Sequence, residues 1–321
     1  MAFPVQRRTP PVPPAADPRI RDSVRIGGGI PGPVEAPALT GALRVDGSEC
    51  GGTMPGQPAE WTLTYRDANG TPVTRFEANH EKPMHLIVVS KDLESFAHVH
   101  PILSDDGTFT IRVNEESDDP DNINVARAVP KPGEYHLFAE VKPEGGDLAL
   151  TRFSTQAAGE AEPVPLVPDP GNPGQGIRKY FTASGQPGVH GDAYQATFRT
   201  LAMPGMLHLR VKLQYASEME HLKMVHYVDV HDVQPWMGMA AHGVLIGENG
   251  RVEERTFRHM HTGHPHVDPH RPLSGGGPHG GGPDFEFVLH GADVPPPGNY
   301  RMWMQFKHHE RVVTLPFTFT V

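Results

Sequence analysis

The segment Phe96-Ala97-His98-Val99-His100 recurs later in the same chain as Phe257-Arg258-His259-Met260-His261. Each copy is followed by a second pair of similar segments, Gly133 to Lys142 and Gly298 to Lys307. The paired segments occur in the same order, and the part that recurs best includes histidines. The sequence therefore indicates an internal duplication that produces two modules.

The composition favours β-strands in both modules. The chain of 321 residues contains 35 Pro and 35 Gly and has few long helix-forming runs, which is typical of short strands joined by turns. Between Trp61 and Tyr65 large apolar residues alternate with threonines, the period-2 pattern of a half-buried strand. Asp67 to Gly70 is a hairpin turn signal. We therefore expect an all-β protein.

Changes in composition divide the chain into four regions. Residues 1–37 are rich in Pro and Gly and predict an extended arm, which we expect to contact another protein or a neighbouring copy. Residues 38–156 form the first module, and residues 157–175 form a Pro-rich linker. Residues 176–321 form the second module.

Charge and cysteine content exclude several classes of protein. The formal charge of -10 argues against a nucleic-acid partner. No stretch approaches the roughly 20 apolar residues of a transmembrane helix, and the N-terminus lacks the apolar core of a signal peptide. Cys50 is the single cysteine, so neither an intrachain disulfide nor a multi-cysteine metal cage is available.

The histidine motifs predict two transition-metal sites. Residues i and i+2 of a strand point to the same face, so each His-x-His presents two imidazoles side by side. A third histidine precedes each motif in a short apolar run. Neutral imidazole suits Cu(II), Zn(II) and Ni(II). The predicted ligand sets are His85, His98 and His100 in the first module, and His242, His259 and His261 in the second.

Methionines near the second set refine the choice of metal. Met237 and Met239 precede His242 and are optional soft ligands, and at the offset of the repeat His80 aligns with Met237. Thioether sulfur prefers Cu(I), so copper is favoured and zinc is the alternative. A blue-copper centre is excluded because it needs a cysteine thiolate. Glu94 and Glu254 keep an iron site with a carboxylate ligand open.

Other histidines and acidic residues have simpler interpretations. His136 is structural or a peripheral donor, because Arg301 takes its place in the second module. The loop from His264 to Pro283 carries four histidines that either capture metal loosely or are only solvated. The acidic run Glu115 to Asp121 fits no calcium-binding loop, and we expect a solvated turn.

The sequence also resembles a known family. Lys82 to Pro101 resembles the signature of YtkA-like domains, and Pro132 to Glu140 extends a match over about residues 58–156. The second module repeats the pattern at Asp232 to His242 and Phe257 to His261, although Thr262 stands where Pro101 follows the first motif. The resemblance implies tandem immunoglobulin-like or cupredoxin-like β-sandwiches. It also implies an extracytoplasmic, periplasmic setting in bacteria that is often linked to metal handling.

Three classes of function remain for this sequence. The favoured one is non-catalytic binding of a transition metal, copper first, for delivery, buffering or sequestration. Metal uptake is then expected to weaken as the pH falls through the ordinary imidazole pKa of about 6.5. The alternative is a structural or interaction protein of an assembly, in which the histidines only brace loops. A metal-dependent hydrolase or oxidase is the third class, with no Ser-His-Asp order or close carboxylate pair to support it.

Overall fold

The computed structural model describes most of both modules. The described residues are 39–49, 51–162, 164–171, 175–219, 224–248, 256–262 and 284–321. The arm predicted for residues 1–37, Cys50, Glu254 and the loop from His264 to Pro283 lie outside them.

The described part of the first half of the chain contains ten strands. They are β1 (Thr40–Val45), β2 (Ala59–Arg66), β3 (Pro72–Val73), β4 (Phe76–Glu77), β5 (Met84–Ser90), β6 (Phe96–Val99), β7 (Ile102–Leu103), β8 (Phe109–Val113), β9 (Gly133–Pro143) and β10 (Ala149–Ala157). They form two antiparallel sheets, ordered β1-β2-β8-β7 with β3 on β2, and β10-β9-β5-β6 with β4 on β9.

The second half repeats this arrangement. Its strands are β11 (Ile177–Phe181), β12 (Tyr194–Met203), β13 (Met206–Met219), β14 (Met224–Asp229), β15 (Ala241–Gly247), β16 (Arg258–Thr262), β17 (Asp284–His290), β18 (Asn299–His308) and β19 (Arg311–Thr320). One sheet runs β11-β12-β13-β14 with β17 on β13, and the other runs β16-β15-β18-β19. The predicted fold class, two tandem β-sandwiches, is confirmed.

Each sandwich has its own apolar core. On β2, Trp61, Leu63 and Tyr65 are buried while their neighbours are more exposed, as the alternation predicts. These side chains pack against Leu86 and Leu137 of the facing sheet. The second sandwich has an equivalent core. Two short 3-10 segments lie between strands, and among the described residues no helix is long and apolar enough to cross a bilayer.

The strands that carry the upstream histidines, His85 and His242, are buried on both faces. Every residue of β5 and of β15 is buried. On β5, Leu86 and Val88 point into the sandwich core, whereas Ile87 and Val89 belong to a separate apolar cluster shared with β15. The sheet of β5 therefore packs against the sheet of β15, and this contact joins the two modules.

Two aromatic pairs lie in the apolar part of this interface. Phe96 stacks on Trp303 with ring centroids 4.7 Å apart, and Phe138 stacks on Phe257 at 4.4 Å. Phe96 and Phe257 occupy equivalent places in the two repeats, as do Phe138 and Trp303. Each module therefore makes the same contact to the other module of the chain, and the interface has approximate twofold symmetry.

The segment between the modules packs along the second one. Leu166 is buried in the interface cluster, and its backbone N–H donates to Glu248. Asp169 accepts from the backbone N–H of Thr318 at 2.7 Å and from Lys179. This part of the predicted linker is therefore tied to the second sandwich by specific hydrogen bonds.

The aromatic pairs generate the first prediction. Changing Phe257 to Ala removes a fully buried ring and should cost about 3–5 kcal/mol of unfolding free energy. A double-mutant cycle with Phe138→Ala should give a coupling of about 0.5–1.5 kcal/mol, measured by chemical denaturation. The exposed Val228→Ala should change stability by less than about 0.5 kcal/mol. Additive losses at the two rings would contradict the stacked pair.

Candidate metal centre

The apolar interface continues into a group of histidines. Along β5 and β6 the side chains of His85 and His98 point to the same face as Ile87 and Phe96, because residues two apart share a face of the strand. The equivalent strands β15 and β16 place their histidines in the same way. The two predicted ligand sets therefore meet at the junction of the modules instead of lying in separate sandwiches.

Each set comes together as a triad. In the first triad (His85, His98 and His100) and in the second triad (His242, His259 and His261), one ring nitrogen from each histidine lies within 4.8 Å of the others. The rings of the first triad are at most 3% exposed. The structure thus brings together the six histidines that the sequence grouped, and metal binding by them stays a prediction.

The two triads are also neighbours. The ring centroids of His98 and His259 are 5.2 Å apart, and those of His85 and His259 are 5.3 Å apart. His98 lies 6.2 Å from His242. We call the two triads together with His80 the histidine cluster, and it is continuous across the module boundary.

Each module supplies a hydrogen-bond acceptor to the other module's triad. Glu140 on β9 accepts from Nδ1 of His259 at 2.6 Å, and its side chain is buried. Gln305 on β18 accepts from Nδ1 of His98 at 2.9 Å. Glu140 pairs with His85 in the sheet register, as Gln305 pairs with His242. Such acceptors orient imidazole ligands in metal sites.

The hydrogen-bond partners assign the tautomers of two histidines. His98 donates its Nδ1 proton to Gln305, so its Nε2 carries a lone pair. His85 donates its Nε2 proton to the carbonyl of Asn79 at 2.7 Å, so its Nδ1 carries a lone pair. These two bare nitrogens face each other at 3.0 Å. The facing lone pairs repel each other, and a cation between them would remove the repulsion.

Several other ring nitrogens in the cluster are buried without a hydrogen bond inside the described part of the chain. They are both nitrogens of His100, both nitrogens of His242, Nε2 of His259 and Nε2 of His261. A buried polar atom without a partner costs about 1–3 kcal/mol. Several unpaired, buried nitrogens this close together fit a bound group that accepts lone pairs, as a transition-metal ion does.

Burial keeps the imidazoles neutral. Desolvation and, second, the charge of the neighbouring His259 lower the pKa of His98 to about 3. Desolvation, together with the charges of nearby imidazoles, also holds the pKa values of His85, His100, His242 and His261 well below the usual value. Protons therefore compete for these nitrogens at a lower pH than the 6.5 expected from the sequence.

His80 also belongs to the histidine cluster, although the sequence assigned it to neither triad. It belongs to the first module, yet its ring centroid lies 4.0 Å from that of His261 in the second. Desolvation lowers its pKa to about 4, with a contribution from His259. In the sequence, the alignment of His80 with Met237 was the one indication of a donor at this position. The alignment does not indicate which module His80 contacts.

The positions of the methionines do not identify them as ligands. Met237 is buried and Met239 is half-buried, on the turn that precedes β15. The ring from this turn that touches His242 is Trp236, at 4.6 Å between centroids. Met84, next to His85, points into the core of the first sandwich. The methionines therefore stay predicted ligands.

Other candidate residues have partners elsewhere. Glu94, considered as an iron ligand, forms an ion pair with Arg301 of the second module at 2.7 Å. The Nδ1 atom of His136 accepts from Arg152, which fits a structural role. The acidic run is more than a solvated turn, because Asp121 accepts from the indole N–H of Trp236 at 2.9 Å.

A third group of potential ligands lies at the end of β18. Asp232, His308 and His309 bring their donor atoms close together. Unlike the triads, His308 uses both nitrogens in hydrogen bonds, one with the Tyr194 hydroxyl and one with Asp232. His308 is also buried, whereas His309 is exposed. His308 is therefore held by hydrogen bonds within this group.

Fold and site together define a tandem β-sandwich protein with a buried histidine cluster between its domains. The chain belongs to the family described as a domain of unknown function, DUF8832, whose profile matches residues 40–159 and 205–321. The two matched segments agree with the predicted tandem arrangement. Among curated proteins, no sequence matches the chain.

Solved structures show only distant likeness. A Ca2+-stabilized adhesin from an Antarctic bacterium that binds ice is 8% identical over 89% of this chain, with a TM-score of 0.23, and the chain spans 49% of that protein's length. A putative membrane anchored protein from Corynebacterium diphtheriae is 10% identical over 90% of this chain and 59% of its own, with a TM-score of 0.21. A marsupial T cell receptor is 6% identical, covers 88% and 97%, and has a TM-score of 0.20.

The lowered pKa values generate a prediction for the metal-free protein. An imidazole that is neutral when folded and protonated when unfolded stabilises the fold above pH 6.5, and this stability is lost as the pH falls toward the folded pKa. Each such group contributes about 1.4 kcal/mol per pH unit in that window. In chelator, unfolding free energy should therefore fall steeply between pH 7 and pH 5.

A substitution inside the cluster tests the origin of this slope. His242→Leu removes a buried titrating ring and should flatten the dependence by about one group, as measured by denaturant titrations at several pH values. Val244→Ala, at a buried position on the same face, should lower stability equally at every pH. An unchanged slope in His242→Leu would show that other groups cause it.

Proposed function

We propose that the protein binds transition-metal ions, copper first and zinc as the alternative, without catalysing a reaction. The first and second triads hold one ion each, for delivery, buffering or sequestration. The observation that carries this proposal is the distance of 3.0 Å between Nδ1 of His85 and Nε2 of His98, whose lone pairs face each other. With both facing nitrogens unprotonated the pair forms no hydrogen bond, and a shared cation would stabilise it.

The donor set supports copper or zinc over other metals. Neutral imidazole nitrogen suits Cu(II), Zn(II) and Ni(II), whereas Mg2+ and Ca2+ prefer oxygen ligands. The acceptors Glu140 and Gln305 hold His259 and His98 in fixed tautomers, as outer partners do in metal sites. The resemblance to YtkA-like domains, a family often linked to metal handling, points the same way.

Burial of the donors favours binding over turnover. His85, His98 and His242 are 0% exposed, and sheets from both modules cover them. A metal that catalyses a reaction keeps an open position for its substrate. Ions enclosed between two sandwiches fit storage or transfer better.

Copper titration tests the proposal. The wild type supplied with copper should take up two ions per chain, measured by metal analysis after desalting. Its melting temperature should rise, since free ion at 1,000 times the Kd adds about 4 kcal/mol. His100→Asn and His261→Asn should each bind one ion fewer, because each removes a donor from one triad.

A buried histidine outside the triads provides the control. His136→Asn should keep two ions, because His136 pairs with Arg152 away from the triads. A wild type that takes up no ion in the micromolar range, with no change in melting temperature, would reject metal binding.

The second candidate is a structural or interaction protein of an assembly. Its supporting observation is that His98 and His259 form hydrogen bonds across the module boundary and so brace the interface. The described fold and the family match support this candidate more directly, since they establish tandem β-sandwiches and concern no ligand. In this case His98→Asn should weaken the coupling between modules equally with and without copper.

A further inference from the structure

Two matched turns flank the histidine cluster. Asn79 to Lys82 precedes β5, and Trp236 to Met239 precedes β15. Each turn is closed by a pair of backbone hydrogen bonds between its ends. In both turns the two central residues have positive φ angles, 48° and 69° in the first and 48° and 73° in the second. These are equivalent type I′ turns, one from each repeat.

The second residue of each turn is unusual. It is His80 in the first module and Met237 in the second, and both have φ of 48°. Left-handed backbone is uncommon for residues other than glycine, and for a bulky side chain it stores strain. Residues in this region are held there by the surrounding structure, and they cluster at active sites and ligand-binding sites.

The two turns approach each other across the module boundary. Asp121 binds Lys82 of the first turn at 2.8 Å and the indole of Trp236 in the second at 2.9 Å. A Cβ on Gly238 would lie 3.9 Å from the carboxylate of Glu81. The same acidic residue therefore holds both turns against the cluster.

The first turn places its histidine at the other module's triad. The ring of His80 lies 4.0 Å from that of His261 and 6.3 Å from that of His242. The Nε2 atom of His261 is buried with no hydrogen-bond partner in the described residues. His80 therefore stands beside the second triad, although the nitrogens within 4.8 Å of one another are those of His242, His259 and His261.

The interface symmetry identifies the equivalent positions on the second turn. Both aromatic stacks and both acceptor contacts to His98 and His259 occur in reciprocal pairs. By the same symmetry, the positions equivalent to His80 and His261 are Met237 and His100. Met237 is buried, and both nitrogens of His100 are without partners in this part of the chain.

We propose that each metal site is completed by the turn of the opposite module, with His80 as fourth donor to the second triad and Met237 as fourth donor to the first. The sites are then chemically different. Four imidazoles select a divalent ion, whereas three imidazoles and a thioether select Cu(I). This inference rests on the proposed metal binding and reassigns Met237 from the triad of its own module.

The hydrogen-bond acceptors behind the two triads differ in charge, and this difference favours the same assignment of metals. The second triad is backed by the carboxylate of Glu140, whose negative charge stabilises a divalent ion and makes His259 a stronger donor. The first triad is backed by the neutral amide of Gln305, which suits a monovalent ion. A monovalent ion in one site also reduces repulsion between two buried cations at short distance.

Two probes separate the sites experimentally. Zn(II) affinity, measured by competition titration, should fall by about tenfold or more in His80→Asn and by about 10–100-fold in Glu140→Gln. Cu(I) X-ray absorption of the full chain should show a copper–sulfur contribution that Met237→Leu removes. Asn tolerates left-handed backbone and Leu matches the volume of Met, so both variants should keep the fold.

Exposed residues of the same types serve as controls. His226→Asn and Met203→Leu should leave Zn(II) affinity and the copper–sulfur contribution unchanged. If wild type binds both ions but His80→Asn keeps full Zn(II) affinity, or Met237→Leu keeps the copper–sulfur contribution, the crossed sites are overturned and the triads remain. If wild type binds neither ion, the proposed function itself fails.

Discussion

The packing of one outer sheet face against its counterpart is the constraint on which this structure depends. Phe96 on Trp303 and Phe138 on Phe257 fix the distance and register between the sandwiches. Because the histidines continue the same strand faces, the aromatic contacts also bring the two triads together. The apolar half of the interface thereby positions the polar half.

This arrangement places many imidazoles where water is excluded. Burial disfavours the protonated form, so the rings stay neutral and their lone pairs stay available. Acceptors from the opposite module, Glu140 and Gln305, accept from Nδ1 of His259 and of His98 and fix the orientation of both rings. The cluster is therefore held by hydrogen bonds that no single module could supply.

Much of the fold and of the triads could be predicted. Alternation at Trp61 to Tyr65 indicated a strand because period-2 burial is a local property of β-structure. The His-x-His spacing placed His98 and His100 on one face for the same reason. The position of His80 against His261 could not be predicted, since it depends on how two whole modules pack. Met84 adjoins His85 in the sequence but faces the core of the first sandwich, because adjacent strand residues face opposite sides.

The sequence by itself determined two similar β-sandwiches and two sets of three histidines, because strand periodicity and an internal repeat are written in local order. The tertiary structure decided that these sets form one cluster and that Glu140 serves the triad of the other module. A strand buried on both faces, such as β5, has the same apolar pattern whatever covers it. Only the packing of the complete chain shows that its cover is the second copy of itself.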